Sequence, residues 1–518
     1  MAKTTVPISA ATLDGVLAQA RRALSAGAEM LELRTDYLAG LTLDRAAAAI
    51  GGVRALRSPA IPMIVTCRDG REGGVHGYPG ALRTAVLQQA VRLGAAFIDL
   101  ELENFHEDET KEAILSALAE SSHTRLILSA HSFDGPFEDL AALCAGVRIA
   151  CPTAVPKLVY QANHINECFA AFDLLQEEDE DIIVLCMGQA GLISRILANK
   201  VGSLVTFVSL DTDSATAPGQ LTIGQYRDLY RADSLGENTE LFGVIADPVT
   251  HSLSPAIHNG CFGDLEMDRL YLPLWVAGGS NELSAFLNHV QSRDWLRFRG
   301  FSVTIPHKQH CLDHTRKARG VIEPLAEKIG AANTLIRSGD GRLHAYNTDY
   351  AGAMATIRST LGVTESGLKG VRAALIGAGG VARAVTAGLV EAGALVTIYN
   401  RTASKAEALA REFDCRWEEL SALTEVEAQL LINCTSIGMS PHVDAMAVPA
   451  DVLKPGMVVF DTVYNPLETQ LLARAKARGC KTIDGLSMFV GQAMAQFKLF
   501  TGCEGNAELM RSIVCDHL

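Results

Sequence analysis

Residues 372–401 read RAALIGAGGVARAVTAGLVEAGALVTIYNR. A short apolar run, Ala373 to Ile376, leads into Gly377, Gly379 and Ala382 in the order G-x-G-x-x-A, and a helix-forming segment follows. That is the strand–turn–helix setting of a dinucleotide fingerprint. The first Gly turns the chain, the second lets backbone approach a pyrophosphate, and the small third residue packs helix on strand. The helix start would present free N–H groups and a partial positive charge to the phosphates. A bare G-x-G-x-x-A also occurs as a plain tight turn, so the strand that follows, Leu395 to Tyr399, matters. It ends in Asn400, Arg401 and Thr402, where an NAD site would want Asp or Glu on the ribose. Arg401, helped by Lys405, suits a 2′-phosphate, and the cofactor expected is NADP.

At 518 residues the chain is too long for a single core, and roughly two to four domains are expected. A net charge of −14 argues against a nucleic-acid partner and means that an anionic substrate must be held by particular Arg or Lys residues. The twelve cysteines are scattered, with no C-x-x-C pair and no spacing suited to a metal, and read as buried reduced thiols. No metal is expected. The start, MAKTTVPISAATLDG, has no apolar core of a targeting segment. No stretch is apolar over the roughly eighteen residues a membrane span needs. The expectation is a cytoplasmic protein without a membrane partner.

Up to about residue 230, short apolar runs alternate with Ala/Leu-rich helical segments. The strand candidates are Thr4–Ser9, Met30–Asp36, Ile61–Arg68, Phe97–Glu103, Arg125–Phe133, Val155–Gln161, Ile182–Met187 and Leu204–Ser209. Eight βα units in this length predict a (β/α)8 barrel. An open doubly wound sheet is the competing arrangement, but no Gly-rich phosphate loop follows the first strand. A barrel demands functional residues at the C-terminal ends of its strands. Glu32 and Arg34 stand at the end of the second candidate and Arg68 at the end of the third, with Glu72 in the loop after it. His131 ends the fifth, and Lys157 lies inside the sixth.

Lys157 sits in VPKLVY, a run expected to be buried on both sides. A buried ammonium is costly, so such a lysine is either held in a salt bridge or kept as a nucleophile. His131 on the neighbouring strand favours the second: an imine-forming amine beside a proton-moving imidazole suits Schiff-base chemistry on a ketone. Glu72 would orient His131. Arg34, Arg68 and Arg195 at adjacent barrel mouths predict a carboxylate site.

After a polar stretch, Arg231–Glu240, comes LFGVIADPVTHSLSPAIHN. Ser254 before Pro255 reads as a helix N-cap, although two hydroxyls, Ser252 and Ser254, exceed what capping needs and suit a polyol or carboxylate. Lys308 follows a strand and a proline, while Asn333 and Asp349 read as turn residues. Lysine and aspartate together could move a proton during a hydride reduction.

The segments ELRTD, TCRDGREGG, SAHSF, VPKLVY, GLISRI and APGQ, in this order, resemble type I 3-dehydroquinate dehydratase over about residues 3 to 230. The resemblance implies Lys157 as the Schiff-base lysine, His131 as general acid/base and Glu72 as its partner. It also implies substrate contacts from Glu32, Arg34, Arg68, Arg195, Thr216 and Gln220. Thr216 stands where that family more often has Ser. From about residue 240, HSLSP, SVTIPHK, GAANT, YNTDYAG, GAGGVARA, NRTASKA, INCTSIGM, DTVYNP and FVGQA resemble shikimate dehydrogenase. There the resemblance implies Lys308 and Asp349 as the catalytic pair. Ser252, Ser254, Thr304, Asn333, Tyr464 and Gln492 would lie at the substrate. Gly377, Ala378, Gly379, Gly380, Val381, Asn400, Arg401, Thr402 and Lys405 would lie at NADP. Ser302 and Tyr350 depart from the common single-function pattern, where Asn and Gly are frequent, and match the fused, plant-like enzymes.

The implied organisation is a barrel over residues 1–231 and a linker over 232–240. A shikimate-binding domain would span 241–350 with 486–518, and a Rossmann domain 351–485. The implied reactions are successive steps of the shikimate pathway toward aromatic amino acids: dehydration of 3-dehydroquinate, then NADPH-dependent reduction of 3-dehydroshikimate to shikimate. Two alternatives stand beside this reading. One is a quinate or shikimate dehydrogenase with broader substrate or NAD use, the other an inactive metabolite sensor. The sequence sets no oligomeric state.

Overall fold

The computed structural model describes residues 2–57, 59–250, 252–363, 365–425 and 427–517. The chain divides into two compact units. One runs to Glu240 and takes in Leu272–Ala277 and Ala285–Arg297; the other holds Leu241–Tyr271, Gly278–Ser284 and Phe298 onward.

All eight strands expected in the first part form. They are β1 (Lys3–Ile8), β2 (Met30–Arg34), β3 (Met63–Thr66), β4 (Phe97–Glu101), β5 (Arg125–Ser132), β6 (Val155–Gln161), β7 (Ile183–Met187) and β8 (Val205–Phe207). Neighbours are parallel in the order β7-β6-β5-β4-β3-β2-β1-β8. The ring closes where the N–H of Leu204 donates to the carbonyl of Ile182, at the feet of β8 and β7. This is the expected barrel, and the open sheet is excluded. Three of the helices between the strands, Leu13–Ser25, Leu43–Arg54 and Leu140–Ala150, begin at side-chain caps that satisfy free N–H groups. Thr12, Thr42 and Asp139 accept from Gly15, Arg45 and Ala142.

Strand side chains alternate in direction, so every second residue faces the lumen. Met30, Ile64, Phe97, Ile127 and Val155 form one apolar layer there. Two residues further along the same strands come Glu32, Thr66, Asp99, Ser129 and Lys157. Two further again come Arg34, Arg68, Glu101, His131 and Val159. The barrel is therefore apolar at its foot and ionic at its C-terminal mouth.

Two further sheets follow the barrel. The first contains β9 (Glu240–Ala246), β10 (Arg269–Trp275), β11 (Phe298–Val303), β12 (Val321–Ile322), β13 (Thr334–Arg337) and β14 (Leu343–Tyr346). Its order is β10-β9-β11-β13-β14-β12, with β11–β13 and β13–β14 antiparallel. The second contains β15 (Arg372–Ile376), β16 (Leu395–Asn400), β17 (Arg416–Glu419), β18 (Leu430–Asn433), β19 (Val458–Asp461) and β20 (Lys481–Ile483). It is parallel in the order β17-β16-β15-β18-β19-β20, the Rossmann order, which places the switch point between β15 and β18. The fingerprint loop leaves β15 at that point.

All twelve cysteines are free thiols, but the expectation that they are buried needs correction. Cys415, Cys434 and Cys480 are partly exposed and Cys503 and Cys515 exposed, because they lie at element ends and in the C-terminal helix. Among the described residues no helix is long and apolar enough to cross a membrane.

Candidate active sites

The barrel mouth holds a cleft of about 580 Å³. Glu32, Arg34, Arg68, Glu72, His131, Lys157, Arg195, Thr216 and Gln220, drawn from strands, loops and the short helix Leu192–Ile196, all line it. Lys157, 4% exposed, projects from the middle of β6. Its Nζ lies 2.7 Å from Asp99 and 3.6 Å from Glu32, with the Phe207 ring 4.7 Å away. The salt bridge and the nucleophile are thus not alternatives, because the lysine has both the partner and the cleft.

Asp99 is the group that sequence reasoning missed. Burial alone would raise its pKa, but the charges of Arg68 and Lys157 hold it far below the usual carboxylate range. Arg68 bonds Asp99 (2.8 Å), Glu101 (2.9 Å) and Ser129 (2.7 Å), and Ser129 in turn donates to Asp99. The only advance signal was an acid in FIDLE, a strand buried on both faces, which is the reasoning applied to Lys157.

His131 Nδ1 meets Glu72 Oε2 at 2.8 Å. Burial, reinforced by the charges of Arg68 and Lys157, pushes the imidazole pKa well below its ordinary value and leaves the ring neutral and able to accept a proton. Burial also raises the Glu72 carboxyl to about 7, against the pull of Arg68. Phe133 stacks over the imidazole at 6.4 Å.

The three arginines line the same cleft but differ in their partners. Arg34 is held by both oxygens of Asp36 (2.9 Å each) and Arg68 by Asp99 and Glu101. Arg195 has no carboxylate partner among the described residues, its Nε is buried without a hydrogen bond, and burial lowers its pKa to about 10. A substrate carboxylate would supply the missing charge.

In the second unit a wider cleft, about 1080 Å³, is lined by Ser252, Ser254, Thr304, Lys308, Asn333, Asp349, Tyr464 and Gln492, and by Val381 from the cofactor helix. Lys308 opens the helix Lys308–Lys317 and its Nζ lies 2.5 Å from Asp349 Oδ2. Asn333 Nδ2 donates to Asp349 Oδ1 at 2.9 Å. Asp349 belongs to the first turn of the helix Thr348–Leu361, not to a turn as expected; Asn347 before it is the cap residue. Ser254 is likewise not a cap. It is the first residue of its own helix, behind Leu253 at the cap position, and it makes no side-chain cap bond. Tyr464 stacks on Phe489 at 4.6 Å. At Gly352 the helix of Asp349 touches the helix Gly485–Thr501. A Cβ there would stand 2.8 Å from the Gln492 N and the Met488 O, so only glycine permits the approach.

The remaining cofactor residues lie outside this cleft, at the ends of β15 and β16. Gly377 has φ +110°, and a Cβ on it would meet Thr435 and Cys434, whereas Gly379 and Gly380 face open space that backbone-hugging phosphates can occupy. Gly380 begins a helix with its N–H groups free, and Ala378 and Val381 flank it. Arg401 and Lys405 are exposed and form no ion pair among the described residues, while Asn400 donates to the carbonyl of Thr402 at 2.9 Å. Two unpaired cations with no carboxylate fit a 2′-phosphate. Among the described residues no cluster is arranged to hold a metal ion.

Residues 4–237 match the type I 3-dehydroquinase family, and residues 244–335 match the shikimate dehydrogenase substrate binding domain. Residues 361–460 match the shikimate/quinate 5-dehydrogenase family and 485–515 the shikimate 5′-dehydrogenase C-terminal domain. The chloroplastic bifunctional 3-dehydroquinate dehydratase/shikimate dehydrogenase of Arabidopsis thaliana is 34% identical over 98% of this chain and 83% of its own length. The NADP(+) shikimate dehydrogenase of Methanosarcina mazei is 41% identical over 54% of this chain and 99% of its own. The crystal structure of a shikimate dehydrogenase in complex with NADP+ aligns with a TM-score of 0.50 at 35% identity, covering 55% of this chain and 97% of that one. With both halves matched in order and one relative aligned almost end to end, the chain belongs to the bifunctional 3-dehydroquinate dehydratase/shikimate dehydrogenase family.

Proposed function

We propose that this family's two reactions run on separate sites of the chain, with the roles as follows. In the barrel, Lys157 condenses with the ketone of 3-dehydroquinate and releases water. The resulting imine acidifies the neighbouring carbon. His131, neutral and within reach of Glu72, accepts that proton and returns it to the departing hydroxyl, which leaves as a second water. Hydrolysis frees Lys157. Asp99 balances the lysine's charge before attack, and Arg195 receives the substrate carboxylate. Glu32, Arg34, Arg68, Thr216 and Gln220 contact the substrate around it. The observation that carries this reading is Lys157, buried beside Asp99 yet lining the cleft with His131.

In the dehydrogenase, Ser252, Ser254, Thr304, Asn333, Tyr464 and Gln492 orient 3-dehydroshikimate. Lys308, held by Asp349, stands where it can give a proton to the ketone oxygen. Bound NADPH supplies the hydride. The loop Gly377–Val381 would hold its pyrophosphate, and Asn400, Arg401, Thr402 and Lys405 its 2′-phosphate. The proposed domain limits are 1–231, 232–240, 241–350 with 486–518, and 351–485. Free thiols throughout support a reducing, cytoplasmic setting.

Incubating the full chain with 3-dehydroquinate and NADPH should produce shikimate. With Lys308→Ala, 3-dehydroshikimate should accumulate while NADPH oxidation falls by about 10²- to 10⁴-fold. Equal loss of both activities would contradict separate sites. An inactive wild-type chain would favour the sensor alternative.

A further inference from the structure

The Lys308–Asp349 pair stands at the end of a hydrogen-bond chain through the floor of the dehydrogenase cleft. Its polarity can be worked out link by link from what each group is able to donate. Asp349 Oδ1 only accepts, so Asn333 donates to it, and Asn333 Oδ1 therefore accepts the Thr348 N–H at 2.7 Å. Gln496 Nε2 donates to the backbone carbonyl of the same Asn333 (3.2 Å) and to Thr334 Oγ1 (3.1 Å). That orientation leaves Gln496 Oε1 to accept from Ser302 Oγ at 2.8 Å. Ser302, its proton so used, accepts from the Tyr271 hydroxyl at 2.6 Å. From Tyr271 through Ser302 and Gln496 to the Asn333 backbone carbonyl, and again from the Asn333 amide to Asp349, each donor points toward Asp349.

Gln496 is 2% exposed and Tyr271 fully buried, its ring stacked 4.4 Å from His258. Gln496 lies on the helix Gly485–Thr501, one turn beyond Gln492, and lines the cleft with Ser302 and Asn333. A buried polar chain of this kind costs desolvation that an apolar side chain of similar size would avoid, so its value lies in orientation.

We propose that Gln496 is a positioning residue of the dehydrogenase: through Ser302 and Tyr271 on one side and Asn333 on the other, it fixes the carboxylate that holds Lys308. The proposal rests on Lys308 and Asp349 being the reacting pair.

The test is steady-state oxidation of shikimate with NADP+ by the full chain. Gln496→Leu should lower kcat about 10- to 100-fold, the cost of a small misplacement, with KM for NADP+ within about twofold of wild type. Ser302→Ala should lower kcat about 3- to 10-fold, a smaller version of the same misplacement. Ser302→Asn, whose amide can accept from Tyr271 and donate to Gln496, should restore most of that loss. Dehydratase activity and NADPH titration report on folding. Full kcat in Gln496→Leu overturns the proposal, and so does equal kcat in Ser302→Ala and Ser302→Asn; the Ser302 pair decides alone if Gln496→Leu does not bind NADPH. Asp349→Asn separates the two claims, since undiminished kcat there would overturn the assignment of the reacting pair itself.

Discussion

The barrel site and the dehydrogenase site each centre on a lysine paired with an aspartate, and they use the pairing in opposite ways. Lys157 is 4% exposed and lies among buried groups: Asp99 and Glu32 face it, and Arg68 ties Asp99 to Glu101. Lys308 opens a helix at the wall of a wider cleft, with one carboxylate behind it and neutral amides and hydroxyls around. On the proposed roles the barrel must itself supply a reactive amine, which it surrounds with burial and a balanced set of charges. In the dehydrogenase the reactive hydride arrives on a diffusible cofactor, and what remains for the protein is alignment.

The sharpest break of this comparison is Lys157→Met, which keeps the side-chain length and removes the amine. Dehydratase activity should fall on the order of 10⁴-fold or more, while shikimate oxidation is untouched. Borohydride with 3-dehydroquinate should add mass to the wild-type barrel at Lys157 and none to the variant. A labelled variant would place the imine elsewhere.

Arg401→Asp probes the side of the comparison in which reactivity is imported. The exposed, unpaired guanidinium at the end of β16 should be worth at least about tenfold in the preference for NADPH over NADH. Dehydratase turnover should not change. An unaltered cofactor ratio would remove Arg401 from the 2′-phosphate.

The smallest effect is thermal. The Glu72 carboxyl, pushed up by burial to about 7 from 4.5, favours its protonated form in the folded barrel. Its folded value is the higher one. Its stabilisation is therefore complete below the unfolded value and is lost as the pH rises through about 7. Glu72→Gln cannot lose it. The fall in Tm of the barrel between pH 5 and pH 8 should be smaller in the variant by about 2–4 °C. An equal fall in both proteins would mean that His131 satisfies the ionised carboxylate fully.

What could be read from the sequence follows the same division. Barrel strands buried on both faces are continuous apolar runs, so each stood out, and polar residues at their ends marked the mouth. Asp99 escaped because its meaning depends on Lys157, 58 positions away, and nothing local sets one acid in FIDLE apart. Pairing of Arg34 with Asp36 was open to inspection, since Arg34 ends β2 and Asp36 follows two residues later in the next turn, whereas Arg195 gained its importance only by lacking such a neighbour in three dimensions. In the dehydrogenase, Ser254 followed by proline looked like a cap because local rules favour it. The helix instead takes Ser254 as its first residue, and Leu253 occupies the cap position without a side-chain bond. Gln496 carried a legible hint, standing four residues after Gln492 and so on the same helical face, but its partners on β11 and before β13 are separated from it by more than 160 residues.

The alternation of the barrel strands limits how this site can change over time. Packing and reacting groups share one face at every second position of β2 to β6. Insertion or loss of a single residue inside such a strand would turn every side chain beyond it to the opposite face. In β6 it would put Pro156 or Leu158 where Lys157 now stands. Loops at the mouth carry no such parity. Length changes in this half of the molecule are accordingly confined to loops other than those that bring Glu72, Thr216 and Gln220 to the cleft, and the strands admit point replacement alone.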